Sequence, residues 1–432
     1  MSIDTTTSTQ LEIRSGRVLD PASGTDQVAS VFMTDDRITA VGQAPAGWKP
    51  DKVLDAAGKI VTAGLVDLSA RLREPGYEHK ATLESELMAA SAGGVTSLVV
   101  PPDTEPVLDE PGLVEMLKRR GWTLNQARIY PLGALTAGLK GEKLAEMLEL
   151  TEAGCLGFFQ ADRPIVDTTV LYRAMQYAAT YGFTIWLRPE DAHLARGGIA
   201  HDGEVASRLG LAGIPVTAET VAIATITTLM RETGVRVHLA RLSSAKGVEL
   251  VRRAKAEGLP LTCDVGIHHL LLTDRDIGYF DSQYRFAPPL RSPADRDALS
   301  AAVIDGTIDA ICSDHTPTDD DEKNVPFGEA TPGASALEML LPLTLKWAEQ
   351  QHVPLAEAIA RISLKPARIL GKTQGPITAG ALADLCIFDP RAYWAVTRET
   401  LVSQGKNTPW LGRELQGKVA HTICAGRIVY SA

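Results

Sequence analysis

Between residues 65 and 375, short strand-like apolar runs alternate with helix-like runs, and this alternation restricts the chain more than any single motif. Eight strand-like runs fall at about 65–71, 96–100, 127–131, 154–159, 182–188, 235–241, 259–265 and 308–314. Apolar residues at three-to-four spacing mark helices over 82–92, 141–153, 168–181, 218–232, 245–257 and 293–305. Strands that alternate with helices pack as a parallel sheet covered by those helices. Eight such units predict an α/β fold, a (β/α)8 TIM barrel, with its chemistry at the C-terminal strand ends. Runs of period two lie on both sides, in 11–64 and again in 383–388 and 421–430. They predict one small composite β domain built from both termini, which divides the chain into 1–64, 65–375 and 376–432.

A chain of 432 residues with 45% hydrophobic residues can bury a core of this size. The net charge of −10 and the absence of any Lys/Arg run argue against a nucleic-acid surface. No apolar run reaches the length of a membrane span, and residues 1–10 lack the basic start and apolar middle of a signal peptide. A soluble, cytoplasmic chain is expected. The five cysteines form no CxxC pair, which predicts buried thiols rather than disulfides or a zinc knuckle.

The strand ends carry an unusual set of polar residues. The first runs into Asp67-Leu-Ser69-Ala-Arg71-Leu-Arg73-Glu-Pro-Gly76, where Ser69 and Arg71 share a face of an extended chain. The fourth ends at Gln160, with Asp162 two residues on, and the fifth at Arg188-Pro-Glu190-Asp191. The sixth gives His238-Leu-Ala-Arg241-Leu-Ser243, the seventh His268-His269, and the eighth Asp314-His315-Thr-Pro-Thr318. Adjacent histidines on an extended segment point apart, so one is expected packed and the other near the rim. Val100-Pro-Pro-Asp103-Thr-Glu-Pro106 and Arg285-Phe-Ala287-Pro-Pro-Leu-Arg291 complete the set.

From about residue 11 to the end, these segments, together with Gly203-Glu-Val-Ala-Ser and Asn407-Thr-Pro-Trp-Leu-Gly412, resemble the dihydroorotases of the amidohydrolase superfamily. The resemblance assigns metal-ligand positions to Ser69, Arg71, Gln160, Arg188 and Arg241, where dihydroorotases carry histidines and a carboxylated lysine or aspartates. Asp314 matches the aspartate that binds metal and shuttles a proton. Arg73 matches a substrate-carboxylate ligand, whereas Asp103, Ala287 and Thr318 stand where the family has substrate-binding asparagines and a histidine. A guanidinium has no lone pair to give a metal, and one carboxylate cannot hold a catalytic zinc. The resemblance therefore implies a noncatalytic dihydroorotase homologue, without metal or other cofactor, that assembles with aspartate carbamoyltransferase, six chains of each, in pyrimidine biosynthesis.

Three arginines among the lost positions predict guanidinium forks on the remaining carboxylates: Asp314, with Asp67 and Glu190 as further partners. The same arginines, with Arg73, could instead receive an anionic metabolite. The competing class is an active cyclic amidohydrolase, dihydroorotase- or hydantoinase-like, with an unconventional or metal-free site, for example with Asp314 as base and Arg73 and Arg241 polarising a carbonyl. The acidic segment from Thr318 to Gly333 reads either as a pocket border or as a solvated loop.

Overall fold

The computed structural model describes residues 9–372 and 376–432. The reading of residues 1–8 as free of a signal peptide, and the expected boundary at residue 375, lie outside the described residues.

The barrel strands run Leu65–Asp67, Val95–Val100, Arg128–Pro131 continued by Gly133–Ala134, Phe158–Phe159, Thr184–Leu187, Arg236–Leu239, Leu261–Gly266 and Ala310–Cys312. All neighbouring pairs are parallel. The third strand bridges two sheet segments, because Leu132 N donates to Val100 O at 2.9 Å while Gly133 N donates to Gly157 O at 3.0 Å. The eighth strand closes on the first beyond their regular parts: Ala70 bridges His315, with Arg71 N donating to His315 O and His315 N to Ser69 O at 2.9 and 3.0 Å. Alternate residues, Val66 and Leu68, Val99, Phe159, Trp186, Ala310 and Cys312, fill the interior, as strand periodicity requires.

The helices start where the local chemistry caps them. Thr82 and Ser292 form capping boxes ahead of Leu83–Ala92 and Pro293–Asp305, and Asp167 caps Thr168–Tyr181. The expected helix over 141–153 is confined to Met147–Ala153. Pro111–Leu124 is a further helix beyond the expected six, with proline in its first turn, where a missing N–H costs nothing. The predicted strand over 65–71 is regular only to Asp67.

Both termini contribute to one sheet. The strands Gln10–Asp20, Thr25–Thr34, Arg37–Val41, Lys52–Asp55 and Ile60–Ala63 join Leu385–Ala395, Glu414–Cys424 and Arg427–Ser431, through antiparallel pairing of Leu385–Phe388 with Ile60–Ala63. This sheet has its own core, centred on Ile13, Val31, Met33, Val61 and Ile387. All five cysteines are buried and unpaired. No helix among the described residues is long and apolar enough to cross a membrane.

Candidate functional site at the barrel mouth

Asp162 gathers three guanidinium groups at the C-terminal strand ends. Its Oδ2 accepts from Arg71 Nη2 at 2.7 Å, and its Oδ1 accepts from Arg241 Nη2. Arg188 Nε lies 2.6 Å from the same Oδ1 as an ion-pair contact rather than an aligned hydrogen bond. Each arginine then holds a second carboxylate. Arg71 Nε donates to Asp103 Oδ2 at 2.8 Å and its Nη1 to Asp314 Oδ1 at 3.4 Å. Arg241 Nη1 donates to Asp314 Oδ1 at 2.9 Å and to the Ala287 carbonyl at 3.2 Å. Arg188 grips Glu190 with both terminal nitrogens, at 2.7 and 2.8 Å. The three arginines are only 6, 9 and 2% exposed for Arg71, Arg188 and Arg241.

The backbone is bent to present these groups. Arg73, Ala161, Arg241 and Asp314 all adopt positive φ, between 50° and 64°, a conformation that costs on the order of 1–3 kcal/mol for a residue with a Cβ. The turn at Ala161 places Asp162 among the arginines. Arg241 is further fixed by its own N–H donating to Asp264 Oδ1 at 2.7 Å, while Asp264 Oδ2 pairs with the fully buried His238 at 3.0 Å. His315 is fixed likewise: its Nδ1 accepts from Ala336 N at 3.0 Å, leaving Nε2 to donate to Glu86 at 2.6 Å.

Electrostatics divide the carboxylates. Burial alone would raise Asp162, but Arg241, Arg188 and Arg71 outweigh it and hold its carboxyl far below the ordinary range. At Asp314 burial outweighs Arg241 and Arg71, and nearby Asp162 adds to it, so its carboxyl lies above its usual value. Arg73 is pushed down to about 10 by burial and by the neighbouring charge of Arg71.

The remaining predicted residues fall around this cluster. Ser69 Oγ donates weakly to Asp314 Oδ1 at 3.4 Å. Gln160 turns to other partners, accepting from Thr136 Oγ1 at 3.0 Å and donating to the Leu139 carbonyl at 3.1 Å. Arg73 Nε donates to Pro317 O at 2.7 Å, and Thr318 donates through its hydroxyl to Glu322. Asp67 does not meet the arginines as expected. Ser313 holds it from below through N–H and hydroxyl, and burial pushes its carboxyl up to about 6. His268 and His269 lie in the short helix Ile267–Leu271, not on an extended segment, and both are buried. His268 accepts from Trp410 Nε1 at 3.1 Å, and His269 Nε2 donates to Pro288 O at 3.0 Å.

Sequence reasoning gave Asp162 little weight because it lies two residues past the matched position. The signal that reveals it is the left-handed turn at Ala161, which residue types alone do not announce. The segment from Thr318 to Gly333 is packed in part and solvated in part: Lys80 pairs with Glu322 at 2.6 Å, Phe327 is buried and Lys323 is 3% exposed, whereas Asp319, Asp321, Asn324, Pro326, Gly328 and Glu329 are exposed. Burial pushes the Lys323 amine down to about 7. Below pH 7 its charge is kept in both states at a cost to folding. Between about pH 7 and 10.5 the unfolded chain binds the extra proton, so this cost fades as pH rises. Lys323→Met is therefore expected to stabilise the chain at pH 6 and to lose that advantage by pH 10.5, as read by urea unfolding at both values.

A divalent cation here would need lone pairs, and the residues present do not fit one. Three guanidinium groups converge where such an ion would sit, and Asp162 and Asp314 are already neutralised by them. Among the described residues, no group of three or more His, Cys, Asp and Glu is arranged to hold a metal. Arg71, Arg73, Arg188 and Arg241 face Asp103, Asp162, Asp314 and Glu190, four charges against four.

The family model of dihydro-orotase-like proteins matches residues 58–247, and that of the amidohydrolase family matches residues 199–430. A dihydroorotase-like protein of Pseudomonas aeruginosa is 45% identical over 97% of this chain and 99% of its own length. A dihydroorotase of Geobacter sp. is 38% identical over 98% and 99%. Among solved structures, L-hydantoinase from Arthrobacter aurescens superposes with a TM-score of 0.85 at 24% identity, covering 98% of this chain and 96% of its own. That likeness establishes the amidohydrolase barrel fold, and the sequence relatives establish the branch. The chain belongs to the dihydroorotase-like proteins of the amidohydrolase superfamily.

Proposed function

We propose that this chain is a noncatalytic dihydroorotase-like protein, a pseudoenzyme that serves as an assembly subunit for the catalytic chain of aspartate carbamoyltransferase in de novo pyrimidine biosynthesis. The observation that carries the loss of catalysis is the Asp162 cluster. Of the four positions that the family resemblance gives to imidazole ligands, three hold buried arginines committed to carboxylates and the fourth is Ser69. Amide hydrolysis in this family uses a metal-activated water and a Lewis acid, worth several kcal/mol of transition-state stabilisation. Nothing at the mouth replaces both. The metal-free alternative has less support. Arg241, which would polarise the carbonyl in that reading, already donates to Asp162 and Asp314.

The assembly role rests on the family resemblance, and a retained barrel with a strained, ion-paired mouth is compatible with it. Co-expression with the cognate aspartate carbamoyltransferase is expected to yield one large hetero-oligomer, a hetero-dodecamer if six chains of each join, with carbamoyltransferase activity and no dihydroorotase activity in the same fraction. Two separate species on sizing, with carbamoyltransferase fully active alone, would remove the assembly role.

A further inference from the structure

Beside the arginine cluster, and displaced from the barrel axis, a cavity of about 100 Å³ opens between the segments that follow the fourth and fifth strands. Helices Thr168–Tyr181 and Val216–Thr233 back it, and Leu171, Leu187 and Ile226, all buried, line its wall together with the half-buried Ile165. Val166 stands at the lip, 61% exposed.

The polar groups around this cavity are unequal. Glu190 is consumed by the two-pronged grip of Arg188, and Asp191 Oδ1 accepts the N–H groups of His193 and Leu194 at 3.0 and 2.9 Å. Arg163 lines the cavity too, is exposed, and makes no ion pair among the described residues. Its backbone alone is anchored, by donation to Gln160 O at 3.3 Å. The cavity thus presents an apolar wall, the Glu190 carboxylate paired with Arg188, the Asp191 carboxylate held through Oδ1 by backbone N–H groups, and one exposed cation without an ion pair among the described residues.

We propose that this cavity is a binding site for a small amphipathic carboxylate, its apolar body against Ile165, Leu171 and Ile226 and its anionic end at Arg163. Arg188 forms part of both the cavity wall and the Asp162 cluster, so an occupant touches the residue that ties the two together. The proposal stands whether or not the chain is catalytic.

Calorimetric titration of the full chain with 4-phenylbutyrate, and with 4-phenylbutanamide as the neutral control, tests it. One molecule per chain is expected, with the carboxylate bound about fivefold tighter, the upper end for an ion pair at a solvent-exposed edge. Arg163→Gln should equalise the two probes. Ala222→Trp, which fills the cavity from the long helix, should abolish both, and Ala192→Trp serves the same purpose should the first variant fail to fold. No heat from the unaltered chain at millimolar probe, or binding unchanged in Arg163→Gln and in the filled variant, would overturn the proposal.

Discussion

Asp162→Asn is expected to destabilise the chain by about 3 kcal/mol, the lower end of the cost of removing one partner from a buried ion pair. The lower end applies because a third of the Asp162 side chain remains accessible, at 32%. The change is nearly isosteric, so lost packing contributes little. What it removes is the one carboxylate that touches Arg71, Arg188 and Arg241 together. Arg241→Met alone should also destabilise, since it strips Asp314 of its 2.9 Å donor. The double variant should be more stable than the sum of the singles predicts, by about 1.5 kcal/mol or more, because each change removes the reason for the other's cost. Urea unfolding of the four proteins measures this directly. Additive effects would mean that the cluster is a set of independent surface pairs.

The second large effect concerns metals. Replacing Ser69, Arg71, Arg188 and Arg241 together by histidine would supply four imidazoles around Asp314, more than the three protein ligands that a catalytic zinc normally uses. Without metal this variant should be much less stable than the parent, since Asp103, Asp162 and Asp314 lose their cations. Zinc at a thousandfold excess over its dissociation constant should then return about 4 kcal/mol. The unaltered chain should show the same melting temperature in zinc and in chelator. Melting curves of both proteins in the two buffers decide the matter, and a zinc-dependent rise in the unaltered chain would count against an arginine-filled centre.

Most of the architecture was legible because it rests on periodicity. The eight alternating strands, the period-two segments at both ends and the helices expected over 82–92 and 293–305 follow from local pattern. Less legible were features set by backbone bends. The first strand leaves regular pairing at Asp67, yet it still reaches His315 through Ala70. His268 and His269 coil into a helical turn whose register is decided by Trp410 and Pro288, far away in sequence or on another loop. The arginines were identified as carboxylate partners, and Glu190 and Asp314 are among those they hold. The central partner, Asp162, depends on the left-handed turn at Ala161, and Asp67 is withdrawn because Ser313 satisfies it first.

The same cluster gives the barrel mouth a reason to keep its strained turns. Arg73, Ala161, Arg241 and Asp314 hold positive φ at the strand ends, and strain of this kind persists only where the surroundings over-determine it. Here the surroundings are the interlocked guanidinium and carboxylate groups together with the segment from Thr318 to Gly333, whose ends Asn407 holds by accepting from Thr318 N at 2.9 Å and donating to Thr316 O and Gly333 O at 3.0 and 3.2 Å.

The measurement that bears most directly on this account is ring opening of dihydroorotate by the purified chain, with and without added zinc, beside Asp314→Asn. The account predicts that all samples match the buffer rate. A rate above buffer in the unaltered chain that Asp314→Asn abolishes would contradict it.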